Sequence, residues 1–275
     1  MDDLINATVP VSLEKIWLAG CGNMAGAMLG GWLRAGLAPE RFLAVRPSGA
    51  AVAGGVRVMR APPVNEAPPD VLVLGFKPQQ LRDAARGYAA LIDRRTTVLS
   101  ILAGVEIASV RAAFPGAGTV VRAMPNLPVR LGMGVVGLVG ERGPNPELTA
   151  LVAPLGLAEW VGREDALDAL SALAGSGPAF VYRFIDALAA GGAGLGLEEA
   201  QAARLALATV AGAGALAAGA DLPPAELAER VASRGGSTRR GLDVLDKDDA
   251  LATLLRRTLE ATRARVAEMA GEARG

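Results

Sequence analysis

The sequence predicts a doubly wound α/β domain over residues 1–162, followed by an all-α domain over 163–275. Three observations carry this. Up to about residue 162, short apolar runs alternate with helical or turn-rich segments, the grammar of a parallel sheet with right-handed crossovers. From Glu164 the β pattern disappears and long Ala/Leu-rich segments replace it. The first apolar run ends in a glycine turn, Gly20-Cys21-Gly22, that opens a helical pattern.

Taken in order, the strand candidates are residues 15–20, 41–46, 56–59, 71–76, 97–102, 119–123 and 134–139. Several are apolar without alternation, as strands covered on both faces are. Helical patterns at 24–35 and 79–91 lie between them. In the second half, helices are expected over 165–172, 178–195, 197–219 and 224–232, with a last stretch to 270. Breaks are expected at GSG (175–177), LGL (195–197), DLPP (221–224) and SRGGST (233–238). These helices carry few large side chains, so a self-contained core is not expected and pairing with another copy is. The uncharged run 205–220, LALATVAGAGALAAGA, is bracketed by Arg204 and Asp221. It is shorter than the ~20 apolar residues of a spanning helix, and its GAGA centre suits close helix contact. It reads as a buried helix at a subunit interface. The first eleven residues and the last few show no partner and are expected to be mobile.

Composition excludes several chemistries. Lys plus Arg number 28 and Asp plus Glu number 28, so no basic footprint for nucleic acid or anionic lipid is present. There is no histidine, which removes His-based triads and His metal sites, and Cys21 is the single cysteine, which removes intrachain disulfides and thiolate zinc. No metal is expected. The acidic start, Met1-Asp2-Asp3, lacks an apolar core segment, so a cytoplasmic location is expected.

After the first strand, Gly20, Gly22 and Ala25 stand in the G-x-G-x-x-G/A register, with Asn23 and Met24 between them. Gly20 permits the tight turn, Gly22 lets backbone approach a pyrophosphate, and Ala25 allows close helix–strand packing. Free N–H groups at the helix start would hold the phosphates. A purely structural glycine turn is the alternative; the position between strand and helix favours binding. At the end of the second strand, Arg46 and Ser48 occupy the place where an NAD enzyme carries a carboxylate for the ribose. This predicts NADPH, with NADH as the second option; Arg46 as a solvated turn residue is the other reading. The residues alone thus imply an NADP-binding domain on a helical oligomerisation domain, and no substrate.

Five further features lie in order: GCGNMAGAM (20–28), FKPQ (76–79), SILAGV (100–105), RAMPNLPVRLGMG (122–134), and the pair ALAGSGPAF (172–180) with VASRGGSTRRGL (231–242). In these the chain resembles the pyrroline-5-carboxylate reductases of proline biosynthesis, from about residue 15 to 265. The resemblance implies a Rossmann-type domain, a helical domain intertwined with its dimer partner, and a larger ring of dimers. It implies hydride transfer from NADPH to the C=N bond of L-1-pyrroline-5-carboxylate, giving L-proline, with no nucleic acid or membrane partner. It puts Asn65 at the adenosine ribose, and Phe76, Lys77, Pro78, Ala103 and Gly104 at the nicotinamide end, with Met124, Pro125 and Asn126 closing the crevice. Lys77 is also a candidate electrostatic neighbour of the substrate.

In SRGGST, two glycines followed by hydroxyls and a new helical pattern suggest a helix N-terminus with bare N–H groups for the substrate carboxylate. Ser233, Gly236, Ser237 and Thr238 are assigned there, and Thr238 matches the family hydroxyl that hydrogen-bonds the ring nitrogen. The plainer reading is that Ser237 or Thr238 caps the helix. Arg234 and Ser237 depart from the family's S-P-G-G-T-T, and Phe180 replaces its common Tyr. The absence of histidine is compatible with this chemistry, because a cyclic imine protonates in water and needs positioning more than a strong acid. The rivals are a reductase of a related cyclic imino acid and a non-catalytic NADP-binding regulator. A β-hydroxyacid dehydrogenase is disfavoured because 178–190 holds no lysine.

Overall fold

The computed structural model describes residues 12–272. The terminal segments expected to be mobile lie outside that range. Two compact units are present, one of residues up to Ser176 together with those from Thr262, the other Gly177–Ala261.

The first unit is built on β1 (Ile16–Ala19), β2 (Phe42–Val45), β3 (Arg57–Met59), β4 (Val71–Leu74), β5 (Thr97–Ser100), β6 (Thr119–Pro125), β7 (Gly134–Gly140) and β8 (Gly156–Trp160). They form one eight-stranded sheet in the order β3-β2-β1-β4-β5-β6-β7-β8. The order reverses between β1 and β4, the switch point where doubly wound sheets bind ligands outside their strand ends. Its helices are α1 (Asn23–Arg34), α2 (Leu81–Tyr88), α3 (Ile107–Ala113), α4 (Pro146–Val152) and α5 (Glu164–Leu170). All seven strands expected from sequence are present. Two features differ from expectation. β7 runs antiparallel to β6, because residues 126–133 are too few for the dozen or more that a parallel crossover needs. β8 is an addition to the expected set, since GLAEW is short and only half-buried.

Both sheet faces are covered. Alternate side chains of β1 feed opposite cores: Ile16 and Leu18 join Met28, Leu29 and Trp32 of α1, while Trp17 and Ala19 join Tyr88 and Phe114. Strands buried on two sides therefore need no polar alternation. Trp32 stacks on Phe42 with centroids 5.5 Å apart and donates its indole N–H to the Leu151 carbonyl at 2.7 Å, tying α1 to α4. Arg111 of α3 pairs with Glu141 at 2.5 Å, and Glu141 also accepts the Val120 N–H at 2.9 Å. The Arg111 hydrogen bond holds the Glu141 carboxyl below the usual carboxylate range. A depressed folded-state pKa contributes stability that is complete above the unfolded value of about 4.3 and is lost as pH falls through the folded one. The Tm difference between the wild type and Glu141→Gln is therefore expected to shrink from about pH 6 to about pH 3. A gap that is constant in thermal melts across that range would contradict this.

The second unit holds α6 (Gly177–Gly194), α7 (Glu199–Ala218), α8 (Pro224–Val231) and α9 (Ser237–Asp246); α10 spans Ala250–Glu272. Glu198 caps α7, accepting the Ala200 and Gln201 N–H groups at 2.9 and 2.8 Å. The breaks at LGL, DLPP and SRGGST are where expected. A further break at 247–249 follows from Asp248 and Asp249, both in the left-handed region, which Asp tolerates better than most residues. Within α6, α8 and α9 no residue is buried, and α7 buries only Ala202 and Ala206. Val181, Tyr182, Phe184, Leu205, Leu207 and Leu216 stand exposed. The run 205–220 is therefore helical to Ala218 and, apart from Ala206, not buried within the chain, because its Ala and Gly side chains build no core; burial needs another surface. Among the described residues α7 is the one helix long and apolar enough to cross a membrane by length and composition.

Candidate active site

The glycine turn lies at the switch point. Gly20 follows β1 with φ +82°, and its N–H donates to the Val45 carbonyl of β2 at 2.9 Å. A Cβ on Gly20 would meet the Gly75–Phe76 backbone at 3.0 Å, and one on Gly75 would meet the Gly20 carbonyl at 2.6 Å and the Ala25 methyl at 2.8 Å. Gly20, Ala25 and Gly75 therefore interlock. Gly75 is a site residue that sequence reasoning misses, its one signal being a glycine directly after the apolar run VLVL. Around Gly22 the situation is the opposite, since nothing lies within 4 Å of where its Cβ would be. Gly22 is the N-cap of α1, with no side-chain cap and no acidic residue in the first turn. The bare N–H groups of Asn23 and Met24 and the positive end of the helix dipole thus face open space, which fits a pyrophosphate. Cys21 is buried; burial raises its thiol pKa, and the Arg46 charge pulls it part-way back.

Arg46 follows β2 and its Nη1 donates to the Ala50 and Ala51 carbonyls at 3.0 and 3.2 Å. Ser48 is exposed, its hydroxyl accepting the Ala50 N–H at 3.2 Å. Asn65 lies exposed on the β3–β4 connection and makes no hydrogen bond among the described residues. Beyond β4, Phe76, Lys77 and Pro78 leave the strand end; the Lys77 N–H donates to Gln80 Oε1 at 3.0 Å, and the Lys77 side chain has no ion pair among the described residues. Ala103 and Gly104 follow β5, with Gly104 buried at φ +72° and Ala103 exposed. Pro78 and Gly104 line a concavity of about 910 Å³ that continues between α2 and α3.

Met124 and Pro125 end β6, opposite Gly137 and Val136 of β7. Asn126 is buried and its side chain is occupied: Nδ2 donates to the Ala174 carbonyl at 3.0 Å, and Oδ1 accepts the Val135 N–H at 2.8 Å. Ala174 lies in a π-helical turn, Ser171–Gly175, which follows α5 directly. Its carbonyl would ordinarily accept from the residue four positions on, and that is Pro178, which has no N–H. Asn126 supplies the missing donor. The expected break at GSG appears as a change of helix type, the π-helical turn ending at Gly175 and α6 starting at Gly177. The backbone stays helical through Ser176, whose N–H reaches the Ser171 carbonyl at 3.2 Å, a bond five residues long. Arg122, buried on β6, pairs with Glu164 at 2.6 Å and with Asp168 at 3.5 Å. Glu164 also accepts the Ile107 N–H of α3 at 3.0 Å. β6, α3 and α5 are therefore bound at one point.

In the second unit, Gly235 takes φ +72° and Gly236 is the N-cap of α9. A Cβ on Gly236 would fall 2.4 Å from the Ser233 hydroxyl and 3.1 Å from the Ser233 carbonyl, so glycine lets that hydroxyl sit over the start of α9. Ser237 and Thr238 are the first two residues of the helix, are exposed, and neither provides a side-chain cap. The capping alternative is thereby removed for both. Their hydroxyls and the adjoining N–H groups form one polar edge.

The model of pyrroline-5-carboxylate reductase dimerisation matches residues 164–269. A pyrroline-5-carboxylate reductase of Pseudomonas aeruginosa is 32% identical over 273 residues, covering 94% of this chain and 98% of the relative. The chain belongs to the pyrroline-5-carboxylate reductase family. A Synechocystis member is 35% identical over 244 residues, 85% of this chain and 90% of the relative. The solved structure of a Coxiella burnetii pyrroline-5-carboxylate reductase superposes with TM-score 0.84 at 27% identity, over 94% of this chain and 98% of that one. A Plasmodium falciparum pyrroline carboxylate reductase, solved with NADP bound, has TM-score 0.77 at 22% identity over 94% and 99%, a likeness of fold. The family's dimerisation region contains α7 whole, so the small apolar faces that the chain leaves open lie in the part that pairs two copies.

Proposed function

We propose that the chain reduces L-1-pyrroline-5-carboxylate to L-proline, with NADPH preferred over NADH. The observation that carries the reading is the start of α9, where Ser237 and Thr238 cap nothing and remain available to a ligand. Family membership over nearly the whole chain supplies the substrate class. The preference for NADPH rests on Arg46 and Ser48 after β2, where no carboxylate stands to repel a 2′-phosphate.

NADPH would be held by Gly20, Gly22, Asn23, Met24 and Ala25 at the α1 N-terminus, by Arg46, Ser48 and Asn65 at the adenosine end, and by the strand-end segments 76–78, 103–104 and 124–126. When bound it supplies the hydride that converts the protonated C=N bond to an amine. The chain's own residues bind and orient. The Gly236 N–H is taken by the Ser233 carbonyl at 2.9 Å, so the N–H groups of Ser237 and Thr238, with the Ser233 hydroxyl and Gly236 leaving the approach open, hold the substrate carboxylate against the positive end of α9. The Thr238 hydroxyl accepts the ring N–H, and Lys77 adds a positive charge near the anionic partners. The substrate nitrogen takes its proton from water, so no histidine is needed. Residues 1–162 serve as the cofactor domain and 163–275 as the dimerisation and substrate domain, in a cytoplasmic homodimer further assembled into a ring of dimers.

The test is NADPH oxidation with pyrroline-5-carboxylate, beside NADH and a six-membered cyclic imine. Thr238→Ala is expected to lower kcat/KM by about 10- to 100-fold, with Thr238→Ser retaining most activity. An unchanged Thr238→Ala enzyme would remove the assignment. Arg234, Ser237 and Phe180 depart from the family pattern at this end of the site, and the six-membered imine checks directly whether a related cyclic imino acid is the substrate.

A further inference from the structure

The turn after β2 is closed by a residue from the neighbouring strand. β2 and β3 are parallel, with Val45 opposite Met59, and the Arg46 N–H donates to the Met59 carbonyl at 2.8 Å. Arg46 and Arg60 are therefore the first residues beyond two adjacent strand ends, at the carboxyl edge of the sheet. The chain returns over this point in a turn in which the Gly49 N–H donates to the Arg46 carbonyl at 2.9 Å, with Gly49 at φ +67°. The Arg60 guanidinium lies against Gly49: a Cβ there would meet Nε at 2.8 Å and Cζ and Nη2 each at 3.2 Å. Glycine at 49 thus makes room for a guanidinium laid over the turn that also carries the exposed Ser48.

The two arginines are not equivalent. Arg46 has Nη1 committed to the Ala50 and Ala51 carbonyls, and its main effect is to shape the turn. Arg60 has no hydrogen bond and no carboxylate partner among the described residues, although Arg57, three positions earlier, has found Glu66. Arg46 and Arg60 follow adjacent strand ends and neither pairs with a carboxylate among the described residues, so a dianion between two such like charges would be favoured. A guanidinium is the donor whose fork matches phosphate oxygens. The site also adjoins the glycine turn, since Gly20 bonds Val45 and the Arg46 charge is felt at Cys21.

We propose that Arg60 is the specificity-determining residue for the cofactor's 2′-phosphate, binding it directly beside Ser48 while Arg46 holds the turn. This rests on the NADPH reading above and adds a residue from the end of β3 to it. The probe is the adenosine end alone, by calorimetric titration of adenosine 2′,5′-bisphosphate and of AMP. The wild type is expected to bind the bisphosphate at least ~10-fold more tightly. Arg60→Ala is expected to lose ~10- to 100-fold for the bisphosphate and less than about twofold for AMP. Arg60→Lys, a point charge without the fork, is expected to fall between. A wild type that discriminates and an Arg60→Ala that discriminates equally would overturn the role of Arg60 and leave the NADPH preference standing on Arg46 and Ser48. A wild type that does not discriminate would overturn the NADPH preference and this inference together. Equal losses for both probes would show a collapsed turn rather than a phosphate contact, and would also overturn it.

Discussion

Gly22→Val is expected to weaken NADPH binding by at least ~100-fold while leaving the fold in place. The φ of −82° at Gly22 suits any L-residue, and outside the adjoining residues no atom lies within 4 Å of the new Cβ, so the side chain branches into open space. The cost to the fold is the weaker N-cap preference of valine, about 1 kcal/mol, or a few degrees in Tm. The added methyl groups instead occupy the open space over the Asn23 and Met24 N–H groups, where a pyrophosphate would approach. A 100-fold loss corresponds to about 2.7 kcal/mol of binding. Gly20→Ala is the contrasting case: its φ of +82° and the Gly75 backbone 3.0 Å away make it a folding defect first. Titration with NADPH and thermal melts on both variants separate the two. A Gly22→Val protein that binds NADPH normally would show that the cofactor lies elsewhere.

Asn126→Ala is expected to lower stability by about 1–3 kcal/mol, because it removes the partners of two part-buried groups, the Ala174 carbonyl and the Val135 N–H. Asn126→Asp makes the assignment specific. An ionised carboxylate at this position has no proton to donate; only the protonated acid restores the bond to the Ala174 carbonyl. The folded-state pKa of the introduced acid is thus raised, so its stabilisation is present below the unfolded value of about 3.9 and is lost as pH rises through the folded one. Urea unfolding should therefore show Asn126→Asp closing the gap to the wild type as pH falls from about 7 to about 5. A gap independent of pH would mean that the donor to Ala174 does not matter.

What is legible in the sequence follows from the physics of each feature. β1, β2 and β4 are readable because both faces are buried, which leaves a continuous apolar run. β8 is not, because an edge strand with Leu157 and Glu159 facing solvent has neither a full run nor a clean alternation. The direction of β7 depends on the length of the connection before it, a quantity the apolar pattern does not register. The GSG segment reads as a break because glycines and a proline lack local helix preference; that it is a π-helical turn with a donor to Ala174 is not legible, because that donor, Asn126, is 48 residues away in sequence. In the candidate site, Gly20, Gly22 and Ala25 carry their own spacing, and SRGGST carries its own turn. Gly75 and Arg60 cannot be found that way. Each acts on a turn formed by a different strand, and only the sheet order β3-β2-β1-β4 brings them there.

The bare helical unit has a consequence for handling the enzyme. With no buried residue in α6, α8 or α9, dilution itself becomes a denaturant for this half of the molecule. Each tenfold fall in subunit concentration weakens a dimer by about 1.4 kcal/mol, a sizeable share of the roughly 5–15 kcal/mol by which a typical domain is stable. Assays at nanomolar enzyme would then measure how many chains have found a partner as much as how fast each one turns over.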